Sequence, residues 1–161
     1  MRKHFITLQT EAQGNTDFLL KLYEESRPHL KWVNNIDPES LKSMIKMQFN
    51  NEQKQINNIY PDADLKIVML DGEPAGKFNV YCNSEVFRII DIALLTGYRG
   101  KGIGTSLITS LQEEARKTGK SVCLSVTWYN HGAYLLYEKC GFKVVENNGV
   151  CCEMLWQPEE S

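Results

Sequence analysis

Ile89-Ile90-Asp91-Ile92-Ala93-Leu94-Leu95-Thr96-Gly97-Tyr98-Arg99-Gly100-Lys101-Gly102-Ile103-Gly104 is the stretch on which the reading of the chain turns. Residues 89–95 are apolar apart from Asp91 and end at Thr96-Gly97, a pattern that predicts a strand buried on both faces. Gly100, Gly102 and Gly104 follow at alternate positions, with Arg99 and Lys101 beside them, and a helix is predicted to begin near Gly102. Glycine lets backbone N–H groups approach a ligand with no Cβ in the way. A helix N-terminus adds unpaired N–H donors and a partial positive charge. Together these features suit phosphate oxygens. A tight strand-to-helix turn that binds nothing uses the same residues. Two nucleotide motifs fit badly: Lys101 is followed by Gly102 where a P-loop needs Ser or Thr, and the glycines fall as Gly-x-Gly-x-Gly, late in the chain, where the dinucleotide fingerprint needs Gly-x-Gly-x-x-Gly near an early strand.

The composition around this stretch sets bounds. A chain of 161 residues with 42% hydrophobic and 24% charged residues predicts one domain, spanning 1–161, with a real core. A net charge of −2 argues against a general nucleic-acid binder. No apolar run approaches the roughly 18 residues of a membrane span. The basic start, Met1-Arg2-Lys3-His4, has no long apolar segment behind it, which argues against a signal peptide. Cys82, Cys123, Cys140, Cys151 and Cys152 are odd in number and lack a Cys-x-x-Cys spacing, so neither a disulfide framework nor a zinc set is expected. Buried free thiols suit a reducing cytoplasm. With His4, His29 and His131 scattered, no metal site is expected.

Outward from the glycine stretch, Phe5–Leu8 reads as a first strand. Asn15-Thr16-Asp17 opens a helix that runs to Arg27-Pro28, and Asp37-Pro38 opens a second, with Asp as cap and Pro at the first helical position. The second keeps an apolar face to Tyr60 but is rich in Asn and Gln past Gln48, where a fray or break is expected. The period then changes. Leu65–Leu70 and Gly76–Cys82 read as strands around an Asp71-Gly72 hairpin turn, and Val86–Leu95 returns after Asn83-Ser84-Glu85. A helix from Gly102 to Thr118 closes at Gly119. Val122–Val126 follows this crossover and should lie parallel to the strand ending at Leu95. A helix over His131–Lys139, closed by Gly141, precedes a last hairpin of Lys143–Glu146 and Val150–Trp156.

Asn130, Ala133, Tyr137, Gly141 and Phe142 form Asn-x-x-Ala-x-x-x-Tyr-x-x-x-Gly-Phe, about thirty residues after Arg99, Gly102 and Gly104 as Arg-x-x-Gly-x-Gly. In this order and spacing the two motifs resemble the GNAT acetyltransferase superfamily, and the resemblance covers the whole chain. It implies an α/β fold whose central, mostly antiparallel mixed sheet splays between its fourth and fifth strands, with helices on both faces. It also implies acetyl-CoA as co-substrate. Backbone groups of Ile92, Ala93 and Leu94 would pair with the pantetheine amides. N–H groups of Gly100, Lys101, Gly102, Ile103, Gly104 and Thr105 would hold the pyrophosphate, with Arg99 and Lys101 as further charge. Asn130 would touch the pantetheine arm, although an ordinary N-cap for the following helix is the other reading of that residue. Tyr137 would protonate the departing thiolate, which a phenol of pKa ~10 can do. Its other reading is a core tyrosine.

The resemblance further implies that an amine attacks the thioester and that a fourth-strand N–H near Leu94 stabilises the oxyanion. By position, Arg88 and Ser125 stand where many relatives carry a catalytic glutamate, so the base is left open among Asp91, Glu85 and a water chain. Asp91 follows the opposite strand parity to Ile90 and Ile92, which turns it away from the acceptor. The acceptor, a small-molecule or peptide amine, should meet the first two helices and the last hairpin, with Tyr23, Trp32, Met47, Phe49, Trp128 and Tyr129 as candidates. The last strand, Val150–Trp156, could pair across a homodimer. The leading function is an N-acetyltransferase acting on a primary amine, with a non-catalytic coenzyme-A-binding sensor or regulator as the alternative.

Overall fold

The structure, a computed structural model, describes residues 5–32 and 35–159. Met1–His4, with the basic start, lie outside the described residues. The strands are β1 (Ile6–Thr10), β2 (Asp64–Leu70), β3 (Glu73–Cys82), β4 (Val86–Leu94), β5 (Ser121–Thr127), β6 (Lys143–Asn147) and β7 (Cys151–Trp156). The α-helices are α1 (Thr16–Ser26), α2 (Pro38–Ile59), α3 (Ile103–Thr118) and α4 (His131–Lys139). The strands form one mixed sheet in the order β1-β2-β3-β4-β5-β7-β6. β1 and β2 are antiparallel, as are β5 with β7 and β6 with β7, whereas β4 and β5 are parallel, as a helical crossover requires. By their contacts the residues group into two compact units, 1–77 with 93–99 and 78–92 with 100–161.

In the first unit, α1 and α2 bury Leu19, Tyr23, Ile45 and Phe49 against Ile67 of β2. Tyr23 and Phe49, expected at an acceptor pocket, are therefore core residues whose rings meet edge-on at 5.4 Å. Asp37 caps α2 by accepting a hydrogen bond from Ser40 N–H at 2.8 Å, and Pro38 occupies the first turn. The break expected past Gln48 does not occur, and α2 continues to Ile59. Tertiary contacts override the weak local propensity: Phe49 and Ile56 are buried, and Glu52 pairs with Arg27 at 2.7 Å. The Arg27 guanidinium also covers the Tyr23 ring at 4.1 Å. Asp71 and Gly72 both take positive φ, 52° and 85°, which makes the two-residue turn between β2 and β3.

In the second unit, α3 turns Ile103, Leu107, Ile108, Leu111 and Ala115 inward, and the facing strands supply Phe87, Ile89, Val122, Leu124, Met154 and Trp156. Burial of β4 on both faces does not hold. Phe87 and Ile89 are buried, but Arg88 and every residue from 90 to 95 are only half-buried. The reason lies in the pairing. β4 stays in register with β5 from Val86↔Ser121 to Ile89↔Leu124, after which β5 runs on to Thr127 beside β7. The two strands thus separate immediately beyond Ile89. β7 has β5 on one edge and β6 on the other, so it cannot pair with a second copy as expected. Among the described residues, no helix is long and apolar enough to cross a membrane.

Candidate active site

The glycine loop has the conformation its residues suggested. Gly100 and Gly102 hold φ of 74° and 79°, and a Cβ added at either would meet nothing within 4 Å. The positive φ therefore demands glycine there, and the space beside it is open. Gly102 is also the N-cap of α3, whose first internal bond runs from Ser106 N–H to Gly102 O at 3.0 Å. The amides of Ile103, Gly104 and Thr105 precede that bond. No side chain caps this end and no acid stands in the first turn. Oriented N–H groups, a helix dipole and no competing carboxylate make an environment that fits a pyrophosphate. Ile103 is 1% exposed, so its side chain belongs to the core and only its amide faces this role. Lys101 is exposed.

Gly104 serves packing. A Cβ there would lie 3.2 Å from Leu136 Cδ2, so the first turn of α3 rests closely on α4. Buried Gln112 secures the far end of that contact by donating from Nε2 to Cys140 O at 2.8 Å. Tyr137, next to Leu136, is therefore held by both the start and the middle of α3. Its ring lies 5.9 Å from Phe142, and it is 6% exposed. Burial first, then the negative charge of Asp91 and the Cys140 thiol, push its phenol well above the ordinary range. A neutral, proton-bearing phenol is what a general acid needs. Asp91 shares strand parity with the buried Phe87 and Ile89, opposite to Arg88, and its charge is felt at Tyr137. Asn130 is the N-cap residue of α4, with its O accepting from Tyr134 N–H at 3.1 Å, while its exposed side chain makes no capping hydrogen bond.

The end of β4 belongs to the first unit and is built by crowding. Asn83 N–H donates to Val86 O, which sets the β3–β4 register. Carried on unbroken, that register would set Ala75 opposite Leu94, yet it is Leu95 N–H that donates to Ala75 O, at 2.8 Å. β4 has accommodated one extra residue, a β-bulge. Gly76 permits it: a Cβ there would stand 2.1 Å from Ala93 O. Arg99, expected as charge for a ligand, instead braces this segment. Its Nε donates to Leu94 O at 3.0 Å and its Nη2 to Glu25 O at 3.3 Å. Glu25 in turn accepts from Thr96 N–H at 2.8 Å, the chief cause of its lowered pKa. Leu94 O is thus engaged within the protein.

The model of the GNAT acetyltransferase family matches residues 19–142. The chain belongs to the GNAT family. An uncharacterised N-acetyltransferase of Methanocaldococcus jannaschii is 35% identical over 85 residues, a match that takes in 48% of this chain and only 38% of that relative. Among solved structures, the PaiA N-acetyltransferase of Thermoplasma acidophilum in complex with coenzyme A superposes with a TM-score of 0.71 at 19% identity, over 96% of this chain and 99% of that one. Naa50 of Arabidopsis thaliana, in complex with a bisubstrate analogue of coenzyme A and a peptide, gives 0.59 at 17% identity, over 93% and 96%. At these identities the likeness is one of fold, and it agrees with the GNAT order of elements and the separation of β4 from β5.

Within this GNAT chain, the face of β4 opposite Tyr137 carries a cluster that the sequence did not reveal. Arg88 donates from Nη1 and Nη2 to the two carboxylate oxygens of Glu153 on β7, and from Nη2 to Ser125 Oγ at 3.0 Å. Ser125 donates to Glu153 Oε2. Arg88 Nη1 also meets Cys123 Sγ at 3.4 Å. Arg88 and Ser125 thus converge on one carboxylate supplied by a third strand. Burial opposes the Glu153 charge, but hydrogen bonds from Arg88 and Ser125 and the Arg88 charge outweigh it and leave the pKa lowered. Glu85 sits before β4 at the other end, seven residues ahead of Ile92, or about 23 Å at 3.3 Å per residue. That distance removes it as a base. Trp128 is exposed and lines a cavity beside Val150 and Cys151, whereas Trp32 and Met47 are exposed on the first unit.

Proposed function

We propose that this protein transfers an acetyl group from acetyl-CoA directly to a primary amine. The observation that carries the reading is the open, positive-φ loop at the start of α3, packed through Gly104 and Leu136 onto the helix that bears Tyr137. The amides of Gly100, Lys101, Gly102, Ile103, Gly104 and Thr105 hold the pyrophosphate. Ile92, Ala93 and the Leu94 amide pair with the pantetheine arm, and Asn130 offers its uncapped carboxamide to the same arm. Membership of an acetyltransferase family supports this, as does the coenzyme A bound by the Thermoplasma protein.

Acetyl-CoA supplies an activated acyl group. The amine, having lost its proton to solvent, attacks the thioester carbonyl, and an N–H near the bulge at Leu94 stabilises the oxyanion. Tyr137 gives its proton to the sulfur as the carbon–sulfur bond breaks, so an amide and a free thiol leave together. The phenol regains a proton from the nitrogen that became cationic on attack, through water. Release of thiol from acetyl-CoA, followed across a panel of amines with calorimetric binding of coenzyme A in parallel, tests the reading. Amine-dependent thiol release supports it. Tight coenzyme A binding without turnover of any amine would instead identify a binding module.

A further inference from the structure

The Arg88–Ser125–Glu153 cluster can be counted atom by atom, and the count decides what it can receive. The two N–H bonds on each terminal nitrogen of Arg88 are taken, by Glu153 and Cys123 at Nη1 and by Glu153 and Ser125 at Nη2. Ser125 spends its one proton on Glu153 and one lone pair on Arg88. Of about four lone-pair sites on the carboxylate, three are used. What remains is one acceptor site on Glu153 Oε1 and one on Ser125 Oγ. The cluster has spare acceptors and almost no spare donors, so it suits a ligand that brings N–H groups. An anion would have to displace Glu153 from Arg88. The pair is reachable, with Arg88 25% and Glu153 29% exposed at their side chains.

Its place in the sheet also matters. Ser125 is the first residue of β5 beyond the last β4–β5 pair, and Glu153 lies opposite it on β7. The cluster faces away from the α4 side that holds Tyr137. Attack by the amine and loss of the thiolate are successive halves of one tetrahedral path, so the group that holds the amine and the acid that serves the sulfur act at different atoms. One rung further along the same face, Thr127 pairs with Cys151, about 7 Å on at two residues of strand rise. Both line a cavity of about 310 Å³ at the strand ends, which takes in residues of both faces: Val126, Trp128 and Val150 and, from α4, His131 and Tyr134.

We propose that the acceptor is a primary amine carrying an aromatic or apolar group about 7 Å from its nitrogen, with the N–H groups of its amine, its extra proton already lost to solvent, donated to Glu153 and Ser125 and its apolar end in the cavity beyond Thr127 and Cys151. The proposal rests on the acetyl-transfer reading. Arg88 is then a positioning residue that holds the carboxylate ionised and aimed, and Glu153 is a specificity-determining group.

The test compares 3-phenylpropylamine with propylamine as acceptors, by thiol release, with coenzyme A binding measured on every protein. Wild type is expected to turn over the aryl amine with a kcat/KM about tenfold or more above that of propylamine. Glu153→Gln should raise the KM for 3-phenylpropylamine about tenfold with coenzyme A affinity unchanged, and Ser125→Ala should do so more weakly. Val150→Asp should erase the aryl preference. A purely structural ion pair would lower the melting temperature of Glu153→Gln and leave KM alone. Equal turnover of the two amines, or an unchanged KM in both Glu153→Gln and Ser125→Ala, overturns the assignment while acetyl transfer stands. Coenzyme A binding with no thiol release from any amine overturns both.

Discussion

Residues 93–99 and 100–105 follow one another in the chain and are built in opposite ways. The first segment is crowded. A side chain at Gly76 would run into Ala93 O, Arg99 occupies Leu94 O, and Glu25 occupies Thr96 N–H. The second is open. Gly100 and Gly102 have nothing within 4 Å of a would-be Cβ, and the first turn of α3 carries no capping side chain. Glycine is needed in both regions, at Gly76 for lack of room and at Gly102 for the sign of φ. One region is closed on itself and holds a strand in a bulged shape, whereas the other leaves its helix start without a side-chain cap.

The sharpest way to break that contrast is Gly76→Ala. Its methyl would meet a backbone oxygen at 2.1 Å, with no flexible side chain to yield. The expected loss is about 3 kcal/mol of stability, read as a fall of roughly 10 °C in Tm. A Tm within about 2 °C of wild type would show that the bulge has slack. Gly102→Val should behave in the opposite sense. It forces a β-branched residue to positive φ at a spot with ample room, and should weaken coenzyme A binding about 100-fold, or about 2.8 kcal/mol, with the smaller Tm change of the two. Retained affinity in a calorimetric titration would sink the role of the loop.

Tyr137→Phe separates chemistry from binding. It should lower kcat by about 10²-fold with coenzyme A affinity within about twofold, and an unchanged kcat would remove Tyr137 as the acid. The raised phenol also makes a stability prediction. Above pH ~10 the unfolded tyrosine ionises while the folded one stays neutral, so the folded state holds more protons and stability falls as pH rises. The Phe variant should lose that share of the decline in alkaline denaturation curves. Glu25 gives the smallest effect and the opposite sign. Its lowered pKa contributes stability above about pH 4.3 that is lost as pH falls through the folded value. Glu25→Gln should flatten the acid limb of a urea-midpoint profile, and an unaltered limb would mean that the contact with Thr96 adds nothing.

The same two regions explain what could be read in advance. Gly100 and Gly102 were legible because a positive φ selects its residue type, and Asp37-Pro38 because capping is local. The bulge was not legible, since Gly76 and Ala93 are far apart in sequence and nothing local marks their collision. The Asn/Gln-rich half of α2 misled because its continuity comes from Arg27, Phe49 and Ile56 rather than from propensity. β7 misled because the sheet order inserts it between β5 and β6. Glu153 stayed hidden for the same reason, as only the β5–β7 register sets it opposite Ser125.

The central claim is that the amides of the open loop, and not the crowded strand end, receive the coenzyme's phosphates. Titration of coenzyme A into uniformly 15N-labelled protein, followed by amide chemical shifts, tests it directly. The largest shifts should fall on Gly100, Lys101, Gly102, Ile103, Gly104 and Thr105, with Gly76 and Thr96 nearly still. Saturable binding that leaves those six amides unmoved would contradict the account.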